Sequence, residues 1–234
     1  MEIIPAVLAK DYEEMKDKIA LVRGIVPMVQ IDLCDGIFVQ NKTWPFDSAQ
    51  GEPFSEEHFR KILNEEEGMP FWEDIDFELD LMVADAVENF DIYTKLGPKR
   101  IVFHIEAVGD LNEFKDFIEG IDVYIRDAIQ IGVAINTTTP IEQIFPLVNS
   151  IDFAQCMGIE KTGFQGQDFD ERVLDNIKIL KEKFPGITIS VDGGVNFETA
   201  PKLIKAGADR LVAGSLILKS NDIRETIREL ENLG

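Results

Sequence analysis

The 234 residues predict a (β/α)8 barrel, and three observations carry that prediction. Short apolar, β-branched runs alternate with amphipathic stretches along the whole chain. There are eight such strand-then-helix units of about 29 residues each, near the roughly 250 residues typical of the barrel. The runs are continuously apolar, as strands buried on both faces require. A doubly wound open sheet gives the same alternation, but no Gly-x-Gly-x-x-Gly follows the first run.

The elements follow in order. Ile3–Leu8 reads as a strand and Tyr12–Val22 as a helix; Met28–Leu33 and Glu56–Asn64 form the second pair. Phe77–Val83 and Ala86–Leu96 form the third, and Ile101–Ile105 is the fourth strand, before a helix at Leu111–Gly120 and a short helical piece near Asp127. Gly132–Ile135 is the fifth strand, followed by Pro140–Val148 as a helix with proline in its first turn. Phe153–Met157 precedes the helix Glu171–Phe184, and Ile187–Val191 precedes Glu198–Ala206, which Gly207 stops. Arg210–Ala213 is the eighth strand, and the helix Asp222–Leu233 closes the chain. Two connections break the rhythm. The longer runs over Asn41–Asp74, with Trp44, Pro45, Phe46, Gly51, Pro53, Glu65–Glu67 and Trp72; the other is Gly158–Asp170, rich in Gly and Gln. Long connections of this kind serve as lids or are disordered, and the Trp44-Pro45-Phe46 segment suits a lid over a ligand or an anchor for the insertion, with the lid favoured. The whole of residues 1–234 reads as one domain, without a linker or low-complexity tract.

Composition removes several classes of function. With 23 Lys+Arg against 44 Asp+Glu the formal charge is −21, which disfavours nucleic acid and anionic membranes as partners. A 45% hydrophobic content is too high for a disordered polyelectrolyte, and no apolar run approaches the roughly 20 residues of a membrane span. The N-terminus lacks a signal pattern, and two cysteines, Cys34 and Cys156, make neither a disulfide framework nor a zinc module, so a cytoplasmic location is expected.

Barrel chemistry sits at the C-terminal ends of the strands, so the polar residues there are the candidates. Strand two ends Gln30-Ile31-Asp32-Leu33-Cys34-Asp35-Gly36, strand three holds Glu78-Leu79-Asp80-Leu81-Met82, and strand four ends His104-Ile105-Glu106. Strand seven ends Asp192-Gly193-Gly194 and strand eight Gly214-Ser215. Asp35-Gly36 and Asp192-Gly193-Gly194 also suit simple turns, and His104 suits a satisfied core position. Asp32 inside an apolar strand has no such easy structural role. Asp32, Asp80 and Asp192 converging on one barrel mouth would repel one another until a divalent cation, shared protons or a basic partner intervened. The Gly193-Gly194 and Gly214-Ser215 pairs would present backbone N–H groups where many barrels bind phosphate.

These residues resemble the ribulose-5-phosphate 3-epimerases over nearly the whole chain. The resemblance rests on Ile4-Pro5-Ala6-Val7-Leu8, the segment Asp32-Leu33-Cys34-Asp35-Gly36-Ile37-Phe38-Val39-Gln40-Asn41, Leu81-Met82-Val83 and His104-Ile105-Glu106-Ala107. Gly163-Phe164-Gln165-Gly166-Gln167, Val191-Asp192-Gly193-Gly194-Val195-Asn196 and Val212-Ala213-Gly214-Ser215 follow in the same order. It implies inversion of C3 of a ketopentose phosphate through an enediolate, with Asp32 and Asp192 as acid and base on opposite faces of the sugar. It further implies phosphate held by Gly166, Gly193, Gly194, Gly214 and Ser215, a substrate lined by Ala6, Cys34, Met82, His104 and Met157, and association of copies through barrel faces.

The departures from the family pattern are as informative. Its metal site uses two histidines and two aspartates, whereas the histidine positions here are Gln30 and Asp80. The serine after the first proline is Ala6, the methionine before Asp-Gly is Cys34, and the loop after strand six reads Lys161-Thr162-Gly163-Phe164-Gln165-Gly166, with an apparent extra residue. Three readings follow. A divalent metal (Mg²⁺, Mn²⁺, Zn²⁺ or Fe²⁺) binds through Asp32, Asp80, Asp192 and Gln30, with preference shifted from zinc toward harder cations such as Mg²⁺ or Mn²⁺. Alternatively the metal is lost and the chemistry differs, or the barrel binds a sugar phosphate without turnover. Retention of both acid–base positions favours an enzyme. The lysine that related decarboxylases carry on an early strand is missing from Gln30–Asp35, Lys161 is a weak Schiff-base candidate, and Cys34 has only a loose relation to His58 and His104 as bases.

Overall fold

Eight parallel strands close into a barrel in sequence order, β1 pairing with β8 across the seam. The computed structural model describes residues 1–46 and 54–234. Its elements are β1 (Glu2–Val7), α1 (Tyr12–Val22), β2 (Met28–Cys34), α2 (Glu57–Leu63), β3 (Asp76–Met82), α3 (Phe90–Thr94), β4 (Arg100–His104), α4 (Leu111–Gly120) and α5 (Val123–Ala128). They continue with β5 (Gln130–Ile135), a 3₁₀ segment (Ile141–Leu147), β6 (Phe153–Met157), α6 (Arg172–Lys183), β7 (Thr188–Asp192), α7 (Ala200–Ala206), β8 (Arg210–Ala213), α8 (Ser215–Leu218) and α9 (Ile223–Glu231).

Alternation along each strand sorts the core into two parts. Val7, Ile31, Leu33, Leu79, Leu81 and Val191 pack outward into the layer beneath the helices. Inside the barrel, Ile4 and Ala6 meet Val212, and Val102, Ala134, Phe153 and Met157 form a second cluster. The same parity turns Gln30, Asp32, Glu78, Asp80, Ser190 and Asp192 inward, so polar groups share the interior with small apolar ones. At the N-terminal end Arg100 pairs with Glu2 at 3.0 Å and Glu78 at 3.5 Å, and Arg210 reaches Glu2 at 2.9 Å. Burial pushes Glu78 up to about 7 against the opposing pull of Arg100 and Arg210. Among the described residues this charged cluster fills the N-terminal end of the barrel interior.

Local signals set the helix starts. Asp11 accepts from Glu14 N–H at 2.8 Å, Glu56 from Phe59 N–H at 2.8 Å, and Asp110 from Asn112 and Glu113 N–H. Gly207, at φ 119°, ends α7 as expected.

Three expectations are corrected. The segment at Pro140–Val148 is 3₁₀ rather than α, and the ring of Pro146 inside it would clash with the i−4 carbonyl of an α-helix. The helix expected at Ala86–Leu96 is α-helical only over Phe90–Thr94, its approach being tied down by Asp85, which accepts from Asn89 Nδ2 and Tyr93 OH. The aromatic Trp44-Pro45-Phe46 segment does not cover the barrel mouth. Trp44 is buried against Phe59 and Tyr12, and its indole N–H donates to Glu56 at 2.7 Å. It anchors the long connection, while Gly51 and Pro53 of that connection lie outside the described residues. Among the described residues no helix is long and apolar enough to cross a membrane.

Candidate active site

A cavity of about 390 Å³ lies at the C-terminal ends of the strands, in the size range of small-molecule sites. Asp32 of β2 and Asp192 of β7 reach its floor from across the barrel, and Ala6, Met82 and Met157 line it beside them. Its wall toward β7 and β8 is built from Gly166, Gly193, Gly194, Gly214 and Ser215. All ten of these residues stand among the site candidates of the sequence: the strand ends supplied Asp32, Asp192, Gly193, Gly194, Gly214 and Ser215, and the family resemblance supplied Gly166, Ala6, Met82 and Met157. The backbone explains the glycines at 193 and 194: φ is 93° and 68°, and side chains there would press on Ile159 and on the Gly158 carbonyl.

Asp80 lies just beneath, fully buried, with one oxygen 3.0 Å from His104 Nε2 and the other without a hydrogen-bond partner among the described residues. Oxygens of Asp32, Asp80 and Asp192 lie within 4.8 Å of one another. The Gln30 amide spans the outer two, its Nε2 2.8 Å from Asp32 Oδ1 and 2.9 Å from Asp192 Oδ2. Thr43 supports the strand from behind, donating its hydroxyl to the Asp32 carbonyl and accepting from Cys34 N–H.

Electrostatics follow from this crowding. Burial, then the charges of Asp192 and Asp80, push Asp32 well above the usual carboxylate range, with the Gln30 hydrogen bond opposing. Asp192 is pushed up to about 7, first by burial and then by Asp80, against Gln30, His104 and the Gly193 N–H. For His104, burial disfavours the charged ring, but the neighbouring Asp80 carboxylate outweighs it and raises the pKa. A pair of carboxylates held this way carries protons near neutral pH instead of being doubly ionised.

Two expected lining residues stand elsewhere. Cys34 is fully buried with Val39 and Met82, its Sγ 4.0 Å from Met82 Sδ, so Met82 and not Cys34 meets the cavity. Burial pushes its thiol up, away from the thiolate that nucleophilic chemistry needs. His104 likewise lies below the cavity surface, bound to Asp80. The sequence reading missed Gln165, which lines the cavity and donates to the Ala6 carbonyl at 3.1 Å, and Lys219, four residues beyond Ser215. The four-residue spacing within one helical turn was the available signal for Lys219.

The three carboxylates suit a divalent cation. Carboxylate oxygens gathered this closely are the hard donors that a small divalent cation takes. Gln30 Oε1 is buried without a partner among the described residues, and a half-turn of the amide exchanges it for the nitrogen. The unpartnered Asp80 oxygen completes an all-oxygen set.

A closed parallel barrel with a carboxylate-floored, glycine-walled cavity at its strand ends defines the class: a (β/α)8 barrel with a small-molecule cavity. Comparison with known proteins narrows it. Residues 2–218 match the ribulose-phosphate 3 epimerase family, and the chain belongs to that family. It is 29% identical to the ribulose-phosphate 3-epimerase of Bacillus subtilis, covering 98% of both chains. It is 29% identical to that of Eremothecium gossypii, covering 98% of this chain and 91% of the relative. Among solved structures, the 3-hexulose-6-phosphate synthase of Salmonella typhimurium shares the fold with a TM-score of 0.66 at 16% identity, over 100% of this chain and 98% of that one.

Proposed function

We propose that the protein inverts C3 of a ketopentose phosphate, converting D-ribulose 5-phosphate to D-xylulose 5-phosphate by proton exchange between Asp32 and Asp192. The observation that carries the reading is the approach of these two carboxylates from β2 and β7 onto one cavity floor, joined through the Gln30 amide. A proton α to a carbonyl is only weakly acidic, so an ionised carboxylate must take it while a protonated one delivers another to the opposite face. Burial and mutual repulsion support that division of labour, because they keep one proton on the pair near neutral pH. With the amide nitrogen facing the pair, the Gln30 N–H bonds favour whichever carboxylate is ionised. Ala6, Met82 and Met157 would exclude water from the reacting carbon, while Gly166, Gly193, Gly194, Gly214 and Ser215 would hold the phosphate through backbone N–H groups and the serine hydroxyl.

Asp32, Asp80, Asp192 and the turned Gln30 amide would hold a divalent metal ion, whose charge would stabilise the enediolate oxygens. Oxygen donors in place of imidazoles favour Mg²⁺ or Mn²⁺ over Zn²⁺ or Fe²⁺.

Asp32→Asn and Asp192→Asn should each lower exchange of the C3 proton with solvent deuterium by about 10²–10⁴-fold. If wild-type protein supplied with Mg²⁺, Mn²⁺, Zn²⁺ or Fe²⁺ in turn neither exchanges nor epimerises ribulose 5-phosphate, the reading fails. The second reading, a diverged barrel with another sugar-phosphate activity, draws on Gln30 and Asp80 standing at the family's histidine positions. It predicts binding of ribulose 5-phosphate without C3 exchange.

A further inference from the structure

The cavity has a strongly uneven charge. Its floor carries Asp32 and Asp192, with Asp80 directly behind, in a chain of formal charge −21. Among the described residues that line it, Lys219 is the one lysine or arginine. Lys219 follows α8 and is held there by its backbone N–H, which donates to the Ser215 carbonyl at 3.2 Å. Residues four apart share a helical face, so the Lys219 side chain rises on the side where Ser215 meets the cavity. Many other lysines of the described chain are engaged: Lys10, Lys18, Lys61, Lys115, Lys178, Lys181 and Lys202 all pair with carboxylates. Lys219 forms no side-chain hydrogen bond or ion pair with any described residue, and its side chain is exposed at the cavity wall.

We propose that Lys219 is the cation that recognises the phosphate dianion of the substrate and so sets the direction in which the sugar lies. The proposal rests on the sugar-phosphate reading above and deepens it. Backbone N–H groups at Gly193, Gly194 and Gly214 offer partial charges only, and the floor with Asp32, Asp80 and Asp192 offers a phosphate no positive side chain. One ammonium group on the β8 side supplies the opposite sign where the glycine wall stands, so the phosphate lies there and the uncharged end of the sugar faces Asp32 and Asp192. A lysine acts here as a compact point charge on a flexible stem, suited to reaching a phosphate that backbone groups hold in place.

The test compares wild type, Lys219→Met and Lys219→Arg by calorimetric titration with inorganic phosphate and with ribulose 5-phosphate, at two ionic strengths. Lys219→Met should weaken both ligands about tenfold and flatten the salt dependence, while Lys219→Arg should stay within about threefold of wild type. In turnover the loss should fall on KM far more than on kcat, as expected for uniform binding. Equal phosphate affinity in wild type and Lys219→Met, or no phosphate binding by wild type, overturns the assignment. Lys219-dependent phosphate binding without C3 exchange leaves Lys219 in place and refutes the epimerase reading instead.

Discussion

Gly158 lies at the junction of β6 with the loop that roofs the cavity, and replacing it with alanine tests how the Asp192 end of the site is held. Its N–H donates to the Asp192 carbonyl at 2.6 Å and its carbonyl accepts from Asp170 N–H at 2.9 Å, so it lies flat against the end of β7. A Cβ built on Gly158 would press on the Gly193 carbonyl, with the carbonyl carbon 3.2 Å away and the oxygen nearer still. Van der Waals contact requires the two backbones to separate by about 1 Å. Overpacking of this kind costs about 1–3 kcal/mol, or about 4–8 °C in Tm for a central 2 kcal/mol in a chain of this size. The larger effect falls on activity, since a shift of about 1 Å in Asp192 and the phosphate wall is worth roughly 100-fold in kcat/KM. The assay is coupled epimerisation of ribulose 5-phosphate at 25 °C, beside thermal melts by circular dichroism. Gly186→Ala is the control, because a Cβ there meets nothing within 4 Å and should leave both readings near wild type. If Gly158→Ala keeps more than a third of wild-type kcat/KM, or if Gly186→Ala loses as much, the reasoning is wrong.

Three further outcomes follow from the electrostatics. Chelation should abolish activity, and Mg²⁺ or Mn²⁺ at about 100 times Kd should restore it and stabilise the fold by about 2.7 kcal/mol, measurable as a rise in Tm. Because Asp32 and Asp192 are held above their usual range, cation binding must expel protons near pH 7, so its affinity should climb with pH and its calorimetric heat should vary with buffer ionisation enthalpy; a pH-independent affinity would contradict this. Asp170 is held down at about 2, first by Arg172 and with help from Thr137, against burial. A depressed carboxylate contributes stability above its unfolded value, and that contribution disappears as pH falls through about 2. Asp170→Asn should therefore cost about 1 kcal/mol at pH 6, a figure kept small because Arg172 is half exposed, and nearly nothing at pH 2 in chemical denaturation.

The barrel was legible because its signals are local or periodic. Strands covered by helices must be apolar on their outer face, and Val7, Leu33, Leu79 and Val191 meet that demand. Pro146 shows the limit of periodicity, since the apolar spacing around it is helical while its ring is at odds with the i−4 carbonyl of an α-helix and the segment takes the tighter 3₁₀ path. Trp44 shows another: an aromatic in a long connection reads alike as lid or anchor until its neighbours Tyr12, Phe59 and Glu56 are known.

The sequence by itself determined the eightfold repeat, the inward parity of Asp32, Asp80 and Asp192, and the glycines that wall the cavity. Each of these depends on backbone alternation or on turn chemistry within a few residues. Tertiary structure alone decided that Asp80 is tied to His104, that the Gln30 amide spans the two outer carboxylates, and that Cys34 lies buried behind Met82. It also decided that Lys219 stands at the wall of a cavity whose floor is acidic. Those relations join strands 24 to 162 residues apart, and side-chain reach across a closed barrel is set by register and packing, which no window of sequence contains.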